Sequence, residues 1–331
     1  MALNKAAPAF SFKKNGRGRT AFVTGADGRL GRNLVRALQR DGYEVRTLSL
    51  RKDFVNRIPG GVVPYIGDIT NKKLLNDALH GVDVVFHLAA IVSEYKAHTE
   101  EIVRVNVEGT TNVLEACRQN GIGHVVFAST VDVYGNNRND VLTEDSKLKP
   151  TDKYGYSKML AEKEIEKYAD RIDYTIFRMA AIYGNEFSAS YFKVFKAIKE
   201  GKAYVIGSGN NSLSLIHIDD VVRAYLLADQ KHNNSRSIYN LSDGRKYTLQ
   251  EMFNMVADIM KVERPSRHIS PIIVRLMAKN RNIDSDELRF LMSNRVIDIG
   301  KIRNELGFKP SIDIKEGALE LVREFQKSKD A

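Results

Sequence analysis

Residues 154 to 158 read YGYSK and bring two tyrosines and a lysine together. A helix advances about 100° per residue, so Tyr154 and Lys158 share a face, while Tyr156 points roughly the opposite way. Tyrosine, with a pKa of about 10, is a poor base at neutral pH, but a neighbouring ammonium group favours the phenolate. The spacing therefore nominates Tyr154 as a base assisted by Lys158. Such pairs are also common on solvated helices, so other motifs must support this chemistry.

A glycine-rich turn near the N-terminus offers a place for a nucleotide cofactor. The stretch TAFVTGADGRLGRNLVRAL passes from a strand pattern to a helix pattern through Gly25, Gly28 and Gly31. Glycines at such a turn let the backbone approach a pyrophosphate, and the helix N-terminus stabilises its charge. Alone, the pattern also fits an ordinary tight turn. In this strand-to-helix context we expect dinucleotide binding, with Arg29 and Leu30 beside the glycines.

The elements that must position these residues follow from hydrophobic periodicity. Short apolar runs rich in β-formers alternate with helical patterns, and apolar strands joined by crossover helices indicate a parallel sheet covered on both sides. We therefore expect an α/β fold, a doubly wound parallel sheet of the Rossmann type. The expected strands are TAFVT (20–24), YEVRTLSL (43–50), VVPYI (62–66), VDVVFHLA (82–89), HVVFAS (124–129) and DYTIFRM (173–179).

Beyond about residue 181 the alternation loosens, which predicts a smaller C-terminal substrate-binding region. A strand LSLIHI begins at residue 213, and a strand SIYNLS lies near residue 240. We assign a basic disordered tail to 1–19, the Rossmann domain to 20–185, and the substrate-binding region mostly to 186–331. Segments near 213–242 are expected to return to the Rossmann domain.

The composition indicates a globular protein of a reducing compartment. The chain has 331 residues, is 43% hydrophobic, and has a single cysteine, Cys117, so it cannot form an internal disulfide. No run approaches the roughly 20 apolar residues of a membrane span, and we expect a cytoplasmic protein. The net charge of +10 favours anionic ligands, but basic and acidic residues interleave, which argues against nucleic-acid binding. The histidines and the cysteine show no metal-ligand spacing.

Taken together, the motifs resemble the extended short-chain dehydrogenases, the NAD-dependent epimerase/dehydratase family. The glycine turn is similar to their TGxxGxxG, and the likeness runs from about residue 20 to 325. Further segments that resemble the family, in the same order, are FHLAA (86–90), NVEGT (106–110), FASTVDVYG (127–135), YGYSK (154–158), RMAAIYG (178–184) and LIHIDDVVRA (215–224).

The resemblance implies a catalytic set of Thr130, Tyr154 and Lys158. The carboxyl ends of parallel strands surround the ligand crevice, and Thr130 stands at the end of the fifth strand. Matched to the family's serine or threonine, Thr130 would orient the reacting oxygen, with Ser129 as the runner-up. Lys158 would also hold the nicotinamide ribose.

The resemblance also implies cofactor contacts along the other strand ends. Asp68, followed by Ile69, would bond the adenine amino group, although Asp68 or Thr70 is equally placed to cap the next helix. Asn106 would support the nicotinamide side. The residues that would run past the cofactor are Leu88, Ala89 and Ala90.

The second strand bears on the choice between NAD and NADP. NAD-preferring Rossmann proteins usually place an acidic residue there to bond the ribose hydroxyls. This chain has Ser49, followed by Arg51 and Lys52. A 2′-phosphate suits Arg51, so we favour NADP, while nearby Asp53 keeps NAD as an alternative. Arg51 and Lys52 also fit a solvated loop.

Departures from the family pattern bear on the substrate. Nucleotide-sugar members often carry RDFIH where this chain has LSLIH at 213–217, and the asparagine of their NxYGP is Ala181 here. Both changes remove polar contacts to a sugar diphosphate. Lys193, Arg275 or Arg295 would then have to supply charge from elsewhere.

These departures favour one of three functions. Dehydratases typically carry adjacent Asp and Glu after the threonine, and Val131 and Asp132 stand there instead. The resemblance therefore implies an NAD(P)-dependent oxidoreductase that interconverts a secondary alcohol and a ketone on a small molecule. A nucleotide-sugar (UDP-glucose-type) 4-epimerase is the alternative, and a non-catalytic cofactor-binding scaffold is the second alternative.

Two further partners are expected beside the small-molecule substrate. The amphipathic stretch PIIVRLMAKN fits a peripheral membrane contact and an apolar substrate. Family members often pair through helices like 99–120 and 152–170, which implies a homodimer.

Overall fold

A computed structural model of the protein describes residues 16–92, 98–136, 140–184, 186–187, 189–231, 236–274, 276 and 290–328. The first 15 residues of the expected basic tail lie outside the described residues. The next four are tied to the folded chain. The Gly16 N–H donates to the Asp41 carbonyl at 3.1 Å, and Arg19 Nη2 donates to Asp229 Oδ1 at 3.0 Å.

The described strands, in chain order, are β1 (Thr20–Thr24), β2 (Glu44–Ser49), β3 (Val63–Ile66), β4 (Val84–His87), β5 (His124–Thr130), β6 (Val141–Leu142), β7 (Asp173–Met179), β8 (Ala181–Tyr183), β9 (Val205–Ile206), β10 (Ser212–Leu213), β11 (Leu215–His217), β12 (Arg236–Leu241), β13 (Tyr247–Thr248), β14 (His268–Ile269) and β15 (Val296–Ile297). Seven of them form a parallel sheet in the order β12-β7-β5-β4-β1-β2-β3. The chain winds outward from β1 in both directions, so the expected doubly wound parallel sheet is confirmed.

The described helices are α1 (Arg29–Asp41), α2 (Lys72–Leu79), α3 (Thr99–Val103), α4 (Gly109–Gln119), α5 (Lys153–Glu166), α6 (Ala189–Lys199), α7 (Ile218–Gln230), α8 (Leu249–Met260), α9 (Gly300–Leu306) and α10 (Ile314–Lys327). Helices cover both faces of the sheet. On one face α1 packs against α7, and on the other α2 and α5 both pack against α4. This burial on both sides explains why β5 is buried at every position and reads as a continuous apolar run.

The C-terminal part contributes both to the sheet and to a separate hydrophobic core. Its strand β12 pairs with β7 at one edge of the sheet. The separate core lies between α6, α8 and α10, where Phe195, Phe253 and Phe325 are buried. No described helix has both the length and the apolar character needed to cross a membrane.

Candidate active site

Tyr154 and Lys158 lie on one face of α5, as their spacing predicts. Asp152 caps this helix by accepting a hydrogen bond from the Gly155 N–H at 2.8 Å. The Lys158 Nζ lies 5.9 Å from the centre of the Tyr154 ring. Tyr156 is 47% exposed. Of the two tyrosines, the structure therefore brings Tyr154 to the lysine.

The amino group of Lys158 is buried. The residue is 1% exposed, and its Nζ lies 4.4 Å from the centre of the Phe127 ring. Burial disfavours the charged form and lowers the pKa of Lys158 to about 7, although the charge of Glu162 acts in the opposite direction. The ammonium group therefore depends on nearby negative charge to persist at neutral pH.

Thr130 ends β5 and faces the same cavity as Tyr154. The cavity measures about 510 Å³, and Arg29 beside the glycine turn also lines it. Thr130 Oγ1 donates to Asp132 Oδ2 at 3.2 Å and accepts from the Asp132 N–H at 3.2 Å. Ser129, the runner-up, is buried and donates to Glu162 instead. Thr130 and Tyr154 therefore line the same cavity, near the expected cofactor end.

The glycine turn is packed too closely for side chains. Gly25 has φ of +65°, and a Cβ there would lie 2.8 Å from the Ala89 backbone. A Cβ at Gly31 would lie 2.3 Å from the Gly25 carbonyl oxygen. Gly28 precedes α1 as its N-cap residue and leaves the first-turn N–H groups without a side-chain cap. Such a bare helix N-terminus with glycines suits a pyrophosphate, so these residues fit a dinucleotide.

Thr24, which the sequence analysis missed, fixes the loop after β4. Its Oγ1 accepts from the N–H groups of Leu88 and Ala89, each at 3.1 Å. The Thr24 hydroxyl proton then points to His87 Nδ1, 2.7 Å away, so the His87 Nε2–H donates to Thr110 at 2.9 Å. Burial, and secondly the charge of Lys158, lower the pKa of His87 to about 3. His87 is thus a neutral structural histidine, and Thr24 was recognisable only as the polar end of an apolar strand.

Asn106 links the loop after β4 to α5. It lies in a π-helical turn, Arg104–Glu108, between α3 and α4. Its Oδ1 accepts from the Ile91 N–H at 2.7 Å, and its Nδ2 donates to Ser157 Oγ at 2.9 Å. Ser157 in turn donates to the Tyr154 carbonyl at 2.8 Å. Asn106 therefore holds the first turn of α5 in place.

The remaining candidate cofactor residues lie at other strand ends. Asp68 accepts from the Thr70 N–H at 2.8 Å. Neither of them caps α2, because Asn71 accepts from the Leu74 N–H at 3.1 Å. Ile69 is buried, whereas Ala90 is half-buried.

Arg51 is exposed and already has an acidic partner. Its Nε and Nη2 donate to the two carboxylate oxygens of Asp53, at 3.1 and 2.7 Å. Ser49 is buried, and its Oγ accepts from the Arg51 N–H at 3.1 Å. A 2′-phosphate at Arg51 would have to displace Asp53.

A buried ion pair behind the site was not recognised from the sequence. Arg178 on β7 and Glu162 on α5 lie 2.8 Å apart at Nη2 and Oε2, and both side chains are almost fully buried. Arg178 also donates to the Tyr134 hydroxyl at 2.9 Å. The local sequence offered one signal, Glu162 itself. It follows Lys158 by four residues and therefore lies on the same helix face as the lysine.

The expected sources of charge differ in their placement. Arg295 and Lys193 both line the cavity, and Lys193 is exposed. Arg275 lies outside the described residues. Within the described part of the chain, no cluster of three His, Cys, Asp or Glu side chains is placed to hold a metal ion.

Comparison with known proteins gives a family and two kinds of relative. The family described as NAD dependent epimerase/dehydratase matches residues 21–242. A protein of Arabidopsis thaliana named 3beta-hydroxysteroid-dehydrogenase/decarboxylase isoform 1 is 26% identical and is aligned over 93% of this chain and 80% of its own. A putative UDP-glucose 4-epimerase of Methanocaldococcus jannaschii is 30% identical over 91% of this chain and 96% of its own.

A solved structure has the same fold. The UDP-glucose 4-epimerase of Thermotoga maritima, crystallised with UDP-glucose, matches with a TM-score of 0.77 and 26% identity. The match covers 93% of this chain and 99% of that one.

Proposed function

Because the chain belongs to the NAD dependent epimerase/dehydratase family, we propose that it is an NAD(P)-dependent oxidoreductase that interconverts a secondary alcohol and a ketone. One observation carries the proposal: Thr130 and Tyr154 line one cavity, with Lys158 buried one helical turn behind the tyrosine. The similarity to the Arabidopsis protein named as a hydroxysteroid dehydrogenase supports the same reaction.

Each side chain has a role in the proposed reaction. The bound nicotinamide supplies the hydride acceptor or donor. Tyr154 takes the hydroxyl proton when an alcohol is oxidised and returns it when a ketone is reduced. The Thr130 hydroxyl bonds the reacting oxygen, and Lys158 stabilises the phenolate.

A nucleotide-sugar 4-epimerase is the second candidate, favoured by the likeness to the Thermotoga structure with UDP-glucose. It would use the same tyrosine and return the hydride to the opposite face. Leu213 and Ala181, where many nucleotide-sugar enzymes have polar residues, line the cavity and argue against it.

Turnover of free cofactor distinguishes the two candidates. The purified protein is assayed for copurified nucleotide, and then with hydroxysteroid-like alcohols and with UDP-sugars. The oxidoreductase produces a net change in free nicotinamide, and Tyr154→Phe slows this change by roughly 10²- to 10⁴-fold. An epimerase retains its nucleotide and converts UDP-sugars without a net redox change, an outcome that would overturn the first proposal.

The choice between NAD and NADP rests on Arg51. We propose that it exchanges its Asp53 carboxylate for the 2′-phosphate, because Arg51 is solvent-exposed and guanidinium groups bind phosphate in the same bidentate manner. NADP is therefore the proposed cofactor, with NAD as the alternative.

A peripheral contact with an acidic membrane surface is part of the proposal. Ile272, Ile273 and Leu276 lie in one short stretch of the chain and are 68%, 50% and 61% exposed. Arg267 and Lys261, just before it, are exposed and basic, which suits anionic headgroups.

The expected homodimer remains a prediction. Light scattering of the purified chain tests it, and a monomer mass would contradict it.

A further inference from the structure

We propose that Asp132 and Arg295 form a specificity pair that keeps the reacting end of the cavity electrically neutral, so that it selects substrates without a charge beside the reacting hydroxyl. The inference rests on the proposed function, because it names the substrate class of that same site. It assigns a role to two residues that the reaction itself does not require.

The pair is built into the cavity wall next to Thr130. Arg295 Nη1 donates to Asp132 Oδ1 at 2.9 Å, and the other oxygen of Asp132 accepts from Thr130. The two side chains are 10% and 14% exposed, and both residues line the cavity together with Tyr154. The charges of Arg295 and Asp132 thus cancel within bonding distance of the proposed catalytic threonine.

Backbone contacts hold Arg295 in this position. Its Nη1 also donates to the Val131 carbonyl at 3.0 Å and to the Gly135 carbonyl at 3.4 Å. Its own N–H donates to the Ser212 carbonyl at 3.0 Å. The guanidinium group therefore cannot swing towards an anion without losing several bonds.

The rest of the cavity wall is mostly apolar, although Arg29, beside the glycine turn, and Lys193, on α6, are charged side chains of the same wall. Side chains from α6, α8 and α10 form much of it, among them Val194, Phe195, Met252, Phe253 and Leu321. An anionic group next to the reacting hydroxyl would compete with Asp132 for Arg295 and place a second negative charge beside the partly buried carboxylate of Asp132. An uncharged, largely apolar alcohol has no such cost, because it displaces no charge.

The test compares binding of two matched probes to the protein loaded with reduced cofactor, with which an alcohol does not react. One probe is an uncharged hydroxysteroid, and the other is the same steroid with a carboxylate on the carbon next to the hydroxyl. Calorimetry gives the ratio of the two dissociation constants without requiring turnover. We expect the wild type to bind the uncharged probe more tightly, by on the order of tenfold.

Asp132→Asn keeps the side-chain shape and removes the negative charge that compensates Arg295. We expect this variant to shift the ratio towards the carboxylated probe by about tenfold. The double variant Asp132→Asn with Arg295→Met removes both charges and should bring the ratio back. Asp258→Asn, which breaks an exposed pair with Arg264, serves as the matched control and should leave the ratio unchanged.

Two results would overturn the inference: tighter binding of the carboxylated probe by the wild type, or an unchanged ratio in Asp132→Asn. These results are distinct from failure of the proposed function. That function fails if no alcohol changes the redox state of the nicotinamide, or if Tyr154→Phe retains full turnover, whatever the probes bind.

Discussion

The ammonium nitrogen of Lys158 lies 5.9 Å from the ring centre of Tyr154 and 4.4 Å from that of Phe127. The lysine nitrogen is therefore buried beside both the proposed base and the Phe127 ring, where water cannot screen its charge. An unscreened cation stabilises a nearby phenolate more strongly than a solvated one. The same burial makes the charge costly to keep, and both properties can be measured.

Loss of the Tyr154 hydroxyl removes the proposed proton acceptor. Tyr154→Phe is expected to lower kcat by roughly 10²- to 10⁴-fold, the usual contribution of a general base. Tyr156→Phe deletes the same atom from an exposed ring two residues away and should leave kcat unchanged. Steady-state kinetics with the best alcohol substrate measures both. Equal losses in the two variants would contradict the assignment of Tyr154.

The buried charge of Lys158 makes stability depend on pH. The pKa of Lys158 falls from its ordinary 10.5 to about 7 in the folded protein without ligand. Between these values the unfolded chain holds more protons, so this residue makes the free energy of unfolding rise with pH. Relative to Lys158→Met, the wild type should gain about 1.4 kcal/mol per pH unit from about pH 7 to about pH 9.

Denaturant unfolding at several pH values measures this difference. Below about pH 7 both states are protonated, and the difference between wild type and variant should be constant. Lys163→Met, at an exposed position of the same helix, is the matched control for the loss of a lysine side chain. If the difference in free energy of unfolding between the wild type and Lys158→Met does not change with pH, burial does not lower the pKa of Lys158.

Local spacing allowed much of the fold and part of the site to be predicted. The strands of the sheet are buried on both faces, so their apolar runs could be recognised in the sequence. Tyr154 and Lys158 are related by helix geometry alone. The run LSLIHI, expected as one strand, is two: β10 pairs with β13, and β11 pairs with β8. The run is divided because its two halves pair with different strands that are distant in the chain. The residues of the run do not indicate these partners.

Contacts between distant segments explain what the sequence could not reveal. Glu162 and Arg178 pair across two elements, and Arg295 reaches back 163 residues to Asp132. Each of these side chains reads as an ordinary charged residue in its own segment. The two pairs can be recognised only in the folded chain, where each pair is largely buried.

The Arg51 guanidinium group should decide the cofactor preference. Arg51→Ala removes the group that would bind a 2′-phosphate, so the affinity for NADP should fall by about tenfold relative to that for NAD. Asp53→Asn removes the negative charge that pairs with Arg51 and should move the ratio towards NADP. Fluorescence titration with the reduced cofactors gives both ratios. An unchanged ratio in Arg51→Ala would remove Arg51 from cofactor selection.

The exposed isoleucines should attach the protein to acidic membranes. Sedimentation with vesicles of phosphatidylserine and phosphatidylcholine measures the bound fraction. Ile272→Glu with Ile273→Glu should reduce binding by adding charge to the apolar face, while Leu319→Glu, at another exposed apolar position, should not. Binding that is equal in all three proteins, or absent in the wild type, would refute the membrane contact.

The Glu162–Arg178 pair should matter for stability far more than ion pairs at the surface. Glu162→Gln leaves the arginine buried without its counter-charge, and the free energy of unfolding should fall by about 3–5 kcal/mol. Asp77→Asn breaks the exposed pair with Lys73 and should cost at most about 1 kcal/mol. Glu162→Gln combined with Arg178→Met removes both charges and should recover part of the loss. Urea unfolding followed by circular dichroism measures all three, and a loss in Glu162→Gln no larger than that in Asp77→Asn would contradict the role of this buried pair.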